Sequence, residues 1–171
     1  MNTYRVAILC LVMVTFSLAG CGSGEWVQFS SIEGMFKATF PHQPDRQVNS
    51  KSKAVGFNAK SDDVQVGVTI VRLSGAPLND DQALSILKKA QDLASRELGA
   101  NVSNQSVYDW SEVKVLDYVL INTKSGLLVR HKTFIRNRTL YSVSLVGTEA
   151  GLASADAVRF MDSFQFRGAL D

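Results

Sequence analysis

Alternation of apolar and polar positions marks most of the chain as strand, and two stretches break that rhythm with a helical one. Residues 26–30 and 35–40 read as short strands about Ile32-Glu33-Gly34, anchored by Trp26, Phe29, Phe36 and Phe40, and Pro41 stops the second. Residues 45–53 are polar and read as a loop or an edge strand. Residues 54–60 and 64–73 predict a hairpin about Ser61-Asp62-Asp63, with Val64, Val66, Val68 and Ile70 on one face and Gln65, Gly67 and Thr69 on the other. Asn79-Asp80-Asp81 offers an N-cap and an acidic first turn. Ala83, Leu84, Leu87, Ala90, Leu93, Ala94 and Leu98 then recur at threes and fours, which predicts an amphipathic helix ended by Gly99. Four strands follow at 102–110, 113–123, 127–136 and 139–146, with Lys124-Ser125-Gly126 and Asn137-Arg138 short enough for hairpin turns. A closing helix over 152–163 buries Ala153, Ala157, Phe160 and Met161, with Phe164 continuing that face, and residues 164–167 add an edge strand.

The N-terminus follows a different rule. Arg5 opens a positive head, residues 6–16 are almost wholly apolar, and Leu18-Ala19-Gly20-Cys21 follows at once. The apolar run is nearer the ~7 to 15 residues of a signal-peptide core than the ~20 that a spanning helix needs. The motif resembles a bacterial lipobox, in which the peptidase cuts before a cysteine that then carries the acyl chains. The expected organisation is a signal peptide at 1–20, a lipidated tether at 21–25 and a single α+β domain at 26–171. The membrane is then a partner through palmitate-type chains on Cys21. Gly22 and Ser23, with no Asp at the second mature position, resemble outer-membrane sorting, so the expected address is the cell envelope, facing the periplasm. A secretory signal cut without lipidation is the alternative. Cys10 and Cys21 are the only cysteines, so the folded domain is expected to hold neither thiol nor disulfide.

Composition narrows the classes further. With 18 basic and 16 acidic residues the chain lacks the strong basic excess that nucleic-acid binding requires. Its length suits one domain, which buries roughly 70% of its unfolded surface.

Phe36-Lys37-Ala38-Thr39-Phe40-Pro41-His42-Gln43-Pro44, Leu140-Tyr141-Ser142-Val143 and Arg159-Phe160-Met161-Asp162-Ser163-Phe164 resemble landmarks of PsbP/Mog-like domains and related bacterial lipoproteins. The resemblance implies an α+β, α/β/α fold in which an antiparallel sheet of about six strands is sandwiched by helices. It also implies an adaptor or assembly role rather than an enzyme, although fold alone does not supply function.

Candidate chemistry is sparse. His42 and His131 are the only histidines, and a divalent-metal site using them with Asp62 or Asp63 has no support in the spacing. His42 reads as a solvated turn residue and His131 as a hydrogen-bonded residue within a sheet. No serine sits in a Gly-x-Ser-x-Gly elbow, Asp80-Asp81 reads as a helix start and Asp62-Asp63 as a hairpin tip. No catalytic residue, metal or cofactor is therefore expected. Arg130, Lys132 and Arg136 share strand parity with Phe134, and Arg138 sits in the adjoining turn, a candidate patch for an anion or a partner against the alternative of a solvated face. The expected function is a lipid-anchored, non-catalytic interaction or assembly module with an envelope-protein partner. The alternative is a small-molecule or ion-binding lipoprotein whose pocket lies between the first helix and the sheet. A cavity lined by Trp110, Tyr118 or Tyr141 with charged groups favours that alternative.

Overall fold

Alternating Phe29, Phe36 and Phe40 place one apolar face on the first hairpin, formed by β1 (Val27–Ser31) and β2 (Phe36–Phe40). The computed structural model describes residues 25–168, so the expected signal peptide, Cys21 and all of the expected tether but Glu25 lie outside the described residues. The polar stretch after Pro41 is an edge strand, β3 (Asp45–Val48), beside β4 (Val55–Lys60) and β5 (Val64–Arg72). Helix α1 (Asp80–Leu98) opens with a capping box: Asn79 Oδ1 accepts the Gln82 N–H at 2.9 Å, and the Asn79 N–H donates to Gln82 Oε1 at 3.1 Å. Gly99, at φ 56°, closes it in the left-handed conformation that a side chain resists.

A meander follows: β6 (Asn101–Trp110), β7 (Val113–Asn122), β8 (Leu127–Arg136) and β9 (Thr139–Gly147). The turns Ser111-Glu112 and Asn137-Arg138 have positive φ at both residues, as a two-residue type I′ hairpin requires. The closing helix expected at 152–163 begins only at Ala155, as α3 (Ala155–Ser163); an unforeseen short helix, α2 (Glu149–Leu152), precedes it, and Ala153, expected in the core, is exposed as the C-cap of α2. Ser154 is the reason: its backbone is extended and its Oγ accepts the Ala157 N–H at 3.2 Å, so it caps a new helix rather than continuing the old one. Phe164 is the extended C-cap residue of α3, not a helical one, and leads into β10 (Gln165–Phe166).

The sheet is larger than expected and is not alone. Among the described residues seven strands run β3-β4-β5-β9-β8-β7-β6, all pairs antiparallel, and β1-β2-β10 make a second, three-stranded sheet. The first hairpin forms its own layer because its phenylalanines need a sheet face, not a sheet edge. Phe29 and Phe36 lie 5.1 and 5.5 Å from the Phe57 ring of β4.

The large sheet thus has a different cover on each side. One face packs under β1, β2 and α3 through Phe36, Phe57, Phe134, Phe160 and Phe164. The other packs under α1 through Leu87, Ala90 and Ala94 against Leu116, Tyr118 and Leu120. Polar ties fasten the small layer: the Tyr141 hydroxyl donates to the Gly34 carbonyl at 2.9 Å, and Ser163 Oγ accepts the Thr39 N–H at 2.8 Å. Gly151 lets α2 lie against the β4–β5 turn, since a Cβ there would overlap the Asp63 carbonyl. Among the described residues no helix is long and apolar enough to cross a membrane.

Candidate functional site: a cleft between α3 and the sheet

Strand parity decides which side chains meet. In β8 it turns Val129, His131 and Thr133 toward α1, and Arg130, Lys132, Phe134 and Arg136 toward the side of α3. Beside them on that side stand Tyr108 and Trp110 of β6, Val115 and Asp117 of β7 and Val143 of β9. Where α3 stops short of β6, these residues leave a cleft of about 340 Å³. Its floor is Val115, Phe134, Val143, Met161 and Phe164, and its wall is Tyr108 and Trp110. Trp110 is fixed by rings, 5.5 Å from Phe134 and 5.2 Å from Phe166. Lys132 and Asp162 contribute the charges.

The four basic residues of the sequence patch are not one surface. Arg130 forms a fork with Asp117, Nε to Oδ1 at 3.1 Å and Nη2 to Oδ2 at 2.9 Å, and that hydrogen-bonded pairing holds its guanidinium more firmly protonated than usual. Arg136 lies over the Phe166 ring at 4.3 Å. Arg138 donates to the carbonyls of Leu73 and Ser74, tying the β8–β9 turn to the chain after β5. Lys132 is the one of the four with no such engagement among the described residues, and it is also the one that lines the cleft. Beside the Arg130–Asp117 pair, the Tyr108 hydroxyl is held above its ordinary pKa, by desolvation first and then by the Asp117 carboxylate.

The histidines stay apart. His42 shares a hydrogen between Nδ1 and the Gln43 carbonyl at 2.9 Å on the surface. His131 is 3% exposed under α1, with Nδ1 2.9 Å from Ser142 Oγ and its ring 5.1 Å from that of Tyr118. Burial pushes its pKa down to about 4, so the ring is neutral at ordinary pH. Neither His131 Nε2 nor the Tyr118 hydroxyl has a protein partner among the described residues, and no trio of His, Cys, Asp or Glu gathers there either. Asp62 and Asp63 lie at the β4–β5 turn, and Asp80 and Asp81 in the first turn of α1.

The cleft lies on the face opposite to the one expected. Alanines let α1 sit directly on the sheet, whereas α3 is short and leaves β6 uncovered. Of the three aromatics marked as lining candidates, Trp110 lines the cleft, while Tyr118 and Tyr141 are core residues at 1% and 4% exposure. The sequence reading missed Tyr108 and Asp162. The parity of Tyr108 with Trp110 was the available signal, but it has meaning only once β6 is known to be an edge.

No protein-family model matches the sequence, and no curated protein sequence does either. Solved structures do resemble it. Cyanobacterial PsbP (CyanoP) from Synechocystis sp. PCC 6803 aligns with a TM-score of 0.63 over 87% of this chain and 98% of that one, at 12% identity. The fold is PsbP-like. At that identity the likeness speaks for architecture and not for any residue of the cleft. A Bacteroides thetaiotaomicron structure (TM-score 0.47, 13% identity, 88% of this chain and 51% of that one) also aligns. So does a Pseudomonas aeruginosa protein of unknown function described as a putative regulator (TM-score 0.40, 16% identity, 79% of this chain and 91% of that one).

Proposed function

We propose that the chain is a bacterial cell-envelope protein anchored by lipid on Cys21, whose PsbP-like domain is a non-catalytic interaction module with the α3 cleft as its recognition site. The observation that carries this reading is the setting of Tyr108, Trp110 and the unengaged Lys132 at the open side of the cleft, beside a strand exposed from Asn101 to Asp109, where a protein surface can reach them. Aromatic anchors that a partner desolvates on binding, with a few polar groups beside them, are the usual makings of a protein-binding hot spot. The lipobox-like motif supports the anchor, and Gly22-Ser23 the outer membrane facing the periplasm. Cys21→Ser should abolish incorporation of labelled palmitate and release the protein from the membrane fraction. Palmitate still taken up would remove the anchor from the proposal.

The recognition site is tested separately, by a photo-cross-linking residue at Tyr108 in the full lipoprotein in its own envelope, with the same group at Gln47 on the other sheet edge as control. The expected result is an adduct specific to position 108 that falls at least tenfold when Trp110→Ala and Lys132→Glu are added. Equal labelling from both positions would overturn the cleft as the site. A second reading is favoured by the lining expected of it, Trp110 with the charged Lys132 and Asp162, and by the cleft's volume, which falls in the ~300 to 1,000 Å³ range of small-ligand pockets. It is a small molecule with an apolar body and an anionic group facing Lys132. An adduct of a few hundred daltons rather than a protein-sized one would select it.

A further inference from the structure

Strand β6 is exposed at every residue from Asn101 to Asp109, on both faces, and among the described residues it pairs with β7 alone. Val102, Val107 and Tyr108 on it are 42%, 43% and 37% exposed. The strand carries a single charge, Asp109, held by Lys114 of β7 at 2.6 Å, and has neither lysine nor proline. The opposite edge is built otherwise. Strand β3 has four residues, of which Asp45 and Arg46 are charged, and Arg46 is bonded to Glu33 at 3.0 Å. Short, charged edges are how sheets avoid pairing with another chain. One edge of this sheet has that protection and the other does not.

We propose that β6 is a homodimer interface, pairing antiparallel with β6 of a second copy about a twofold axis at Val107. The register follows from the ladder. The two-residue turn Ser111-Glu112 closes on the hydrogen-bonded pair Trp110–Val113. Alternate residues back along β6 therefore direct their N–H and C=O groups to β7, and Gln105, Val107 and Asp109 direct theirs outward. The register shift between Val102 and Asn104 ends the straight stretch, which leaves residues 104–110 with Val107 at their middle. Pairing on that midpoint sets Val107 against Val107, Tyr108 against Ser106 and Gln105 against Asp109, with about six new main-chain hydrogen bonds. No charge faces a like charge, and two exposed valines cover each other. Joining β6 to β3 of another copy would instead be a head-to-tail contact that does not close on itself, and the charged four-residue β3 opposes it. The closed pair also brings Asn104 of the second copy beside Trp110 at the cleft wall, so each cleft is flanked by two copies. The pairing stands whatever the cleft binds.

The experiment is Val107→Cys in the full chain in its membrane. Twofold-related Cα atoms in a hydrogen-bonded antiparallel pair lie about 5.5 Å apart, within disulfide reach. Mild oxidation should convert most of this variant to a dimer on a non-reducing gel, while the wild type and Gln47→Cys on β3 give only the background of the native cysteines. In detergent, the wild type should scatter light as two copies. Val107→Lys, which sets two ammonium groups face to face at an exposed position, should scatter as one copy with the circular-dichroism spectrum of the wild type. A Val107→Cys dimer no stronger than the Gln47→Cys background overturns the proposal. So does a monomeric wild type, a dimeric Val107→Lys variant, or a disulfide that joins the Val107→Cys variant to a different protein.

Discussion

Phe164 shows how one side chain holds three elements together without belonging to a helix. It is 5% exposed, stacked on Phe36 of β2 at 5.4 Å and edge-on to Phe134 of β8 at 5.5 Å. Phe164→Ala should cost ~3 to 5 kcal/mol, enough to unfold a marginal domain, and the denaturant midpoint measures it. An unchanged midpoint would place the residue outside the core. His131 makes a prediction of a different kind. The fold keeps this ring neutral with a pKa of about 4, whereas in the unfolded chain it titrates near 6.5. As pH falls the unfolded state takes up the proton first, so stability complete above pH ~6.5 is lost as pH drops toward 4, by roughly 3 kcal/mol in all. Chemical denaturation from pH 7 to 4.5 should show the decline, and His131→Gln should show a shallower one. Equal slopes would mean that the carboxylates alone set it.

At the scale of elements, periodicity was a good guide wherever an element has one wet and one dry face. Helix α1, the β4–β5 hairpin and the meander from β6 to β9 fall close to the residues that alternation picks out, and Asn79 and Gly99 bound α1 as their capping chemistry requires. The misses share a cause, which is that partners distant in sequence decided the outcome. Ala153 and Ala157 fit a helical stripe in the sequence, but the cap of Ser154 starts α3 only after it and leaves Ala153 exposed at the end of α2. The apolar face of β1 and β2 is legible, but nothing in it says whether the hairpin lies on the large sheet or beside it. The cleft was half legible: Lys132 carried a signal through strand parity, whereas the engagement of Arg130, Arg136 and Arg138 depends on Asp117, Phe166 and the carbonyls of Leu73 and Ser74. Gly151 belongs to this scale too. Gly151→Ala drives a methyl into the Asp63 carbonyl and should lift α2 from the β4–β5 turn, lowering stability by about 1–3 kcal/mol, a range typical of overpacking. Thermal melts read the loss, and amide exchange confined to α2 and residues 61–64 would locate it. A neutral variant would show that the turn yields freely.

For the molecule as a whole, the large sheet is a wall with a helix on one side and a small sheet on the other. The second layer is assembled from both ends of the domain: β10 pairs with β2, the Arg167 N–H donates to the Met35 carbonyl at 2.9 Å, and Thr39 and Ser163 meet across 124 residues. That closure has a kinetic meaning. On the ribosome the first hairpin is made early and has no third strand until β10 has been synthesised, so the domain cannot lock as it emerges. Closing so long a loop before any of its contacts are gained places the molecule among slow, topology-limited folders, on the millisecond-to-second scale rather than in microseconds. Stopped-flow refolding should show Trp26, which lies under Arg159 of α3, and Trp110, which lies against Phe166, reaching native fluorescence in one common slow phase. Two well-separated phases would mean that the layers form independently. Until that step completes, Phe36 and Phe40 lack the cover of Phe164 and Phe160 and stay open to whatever handles the nascent chain.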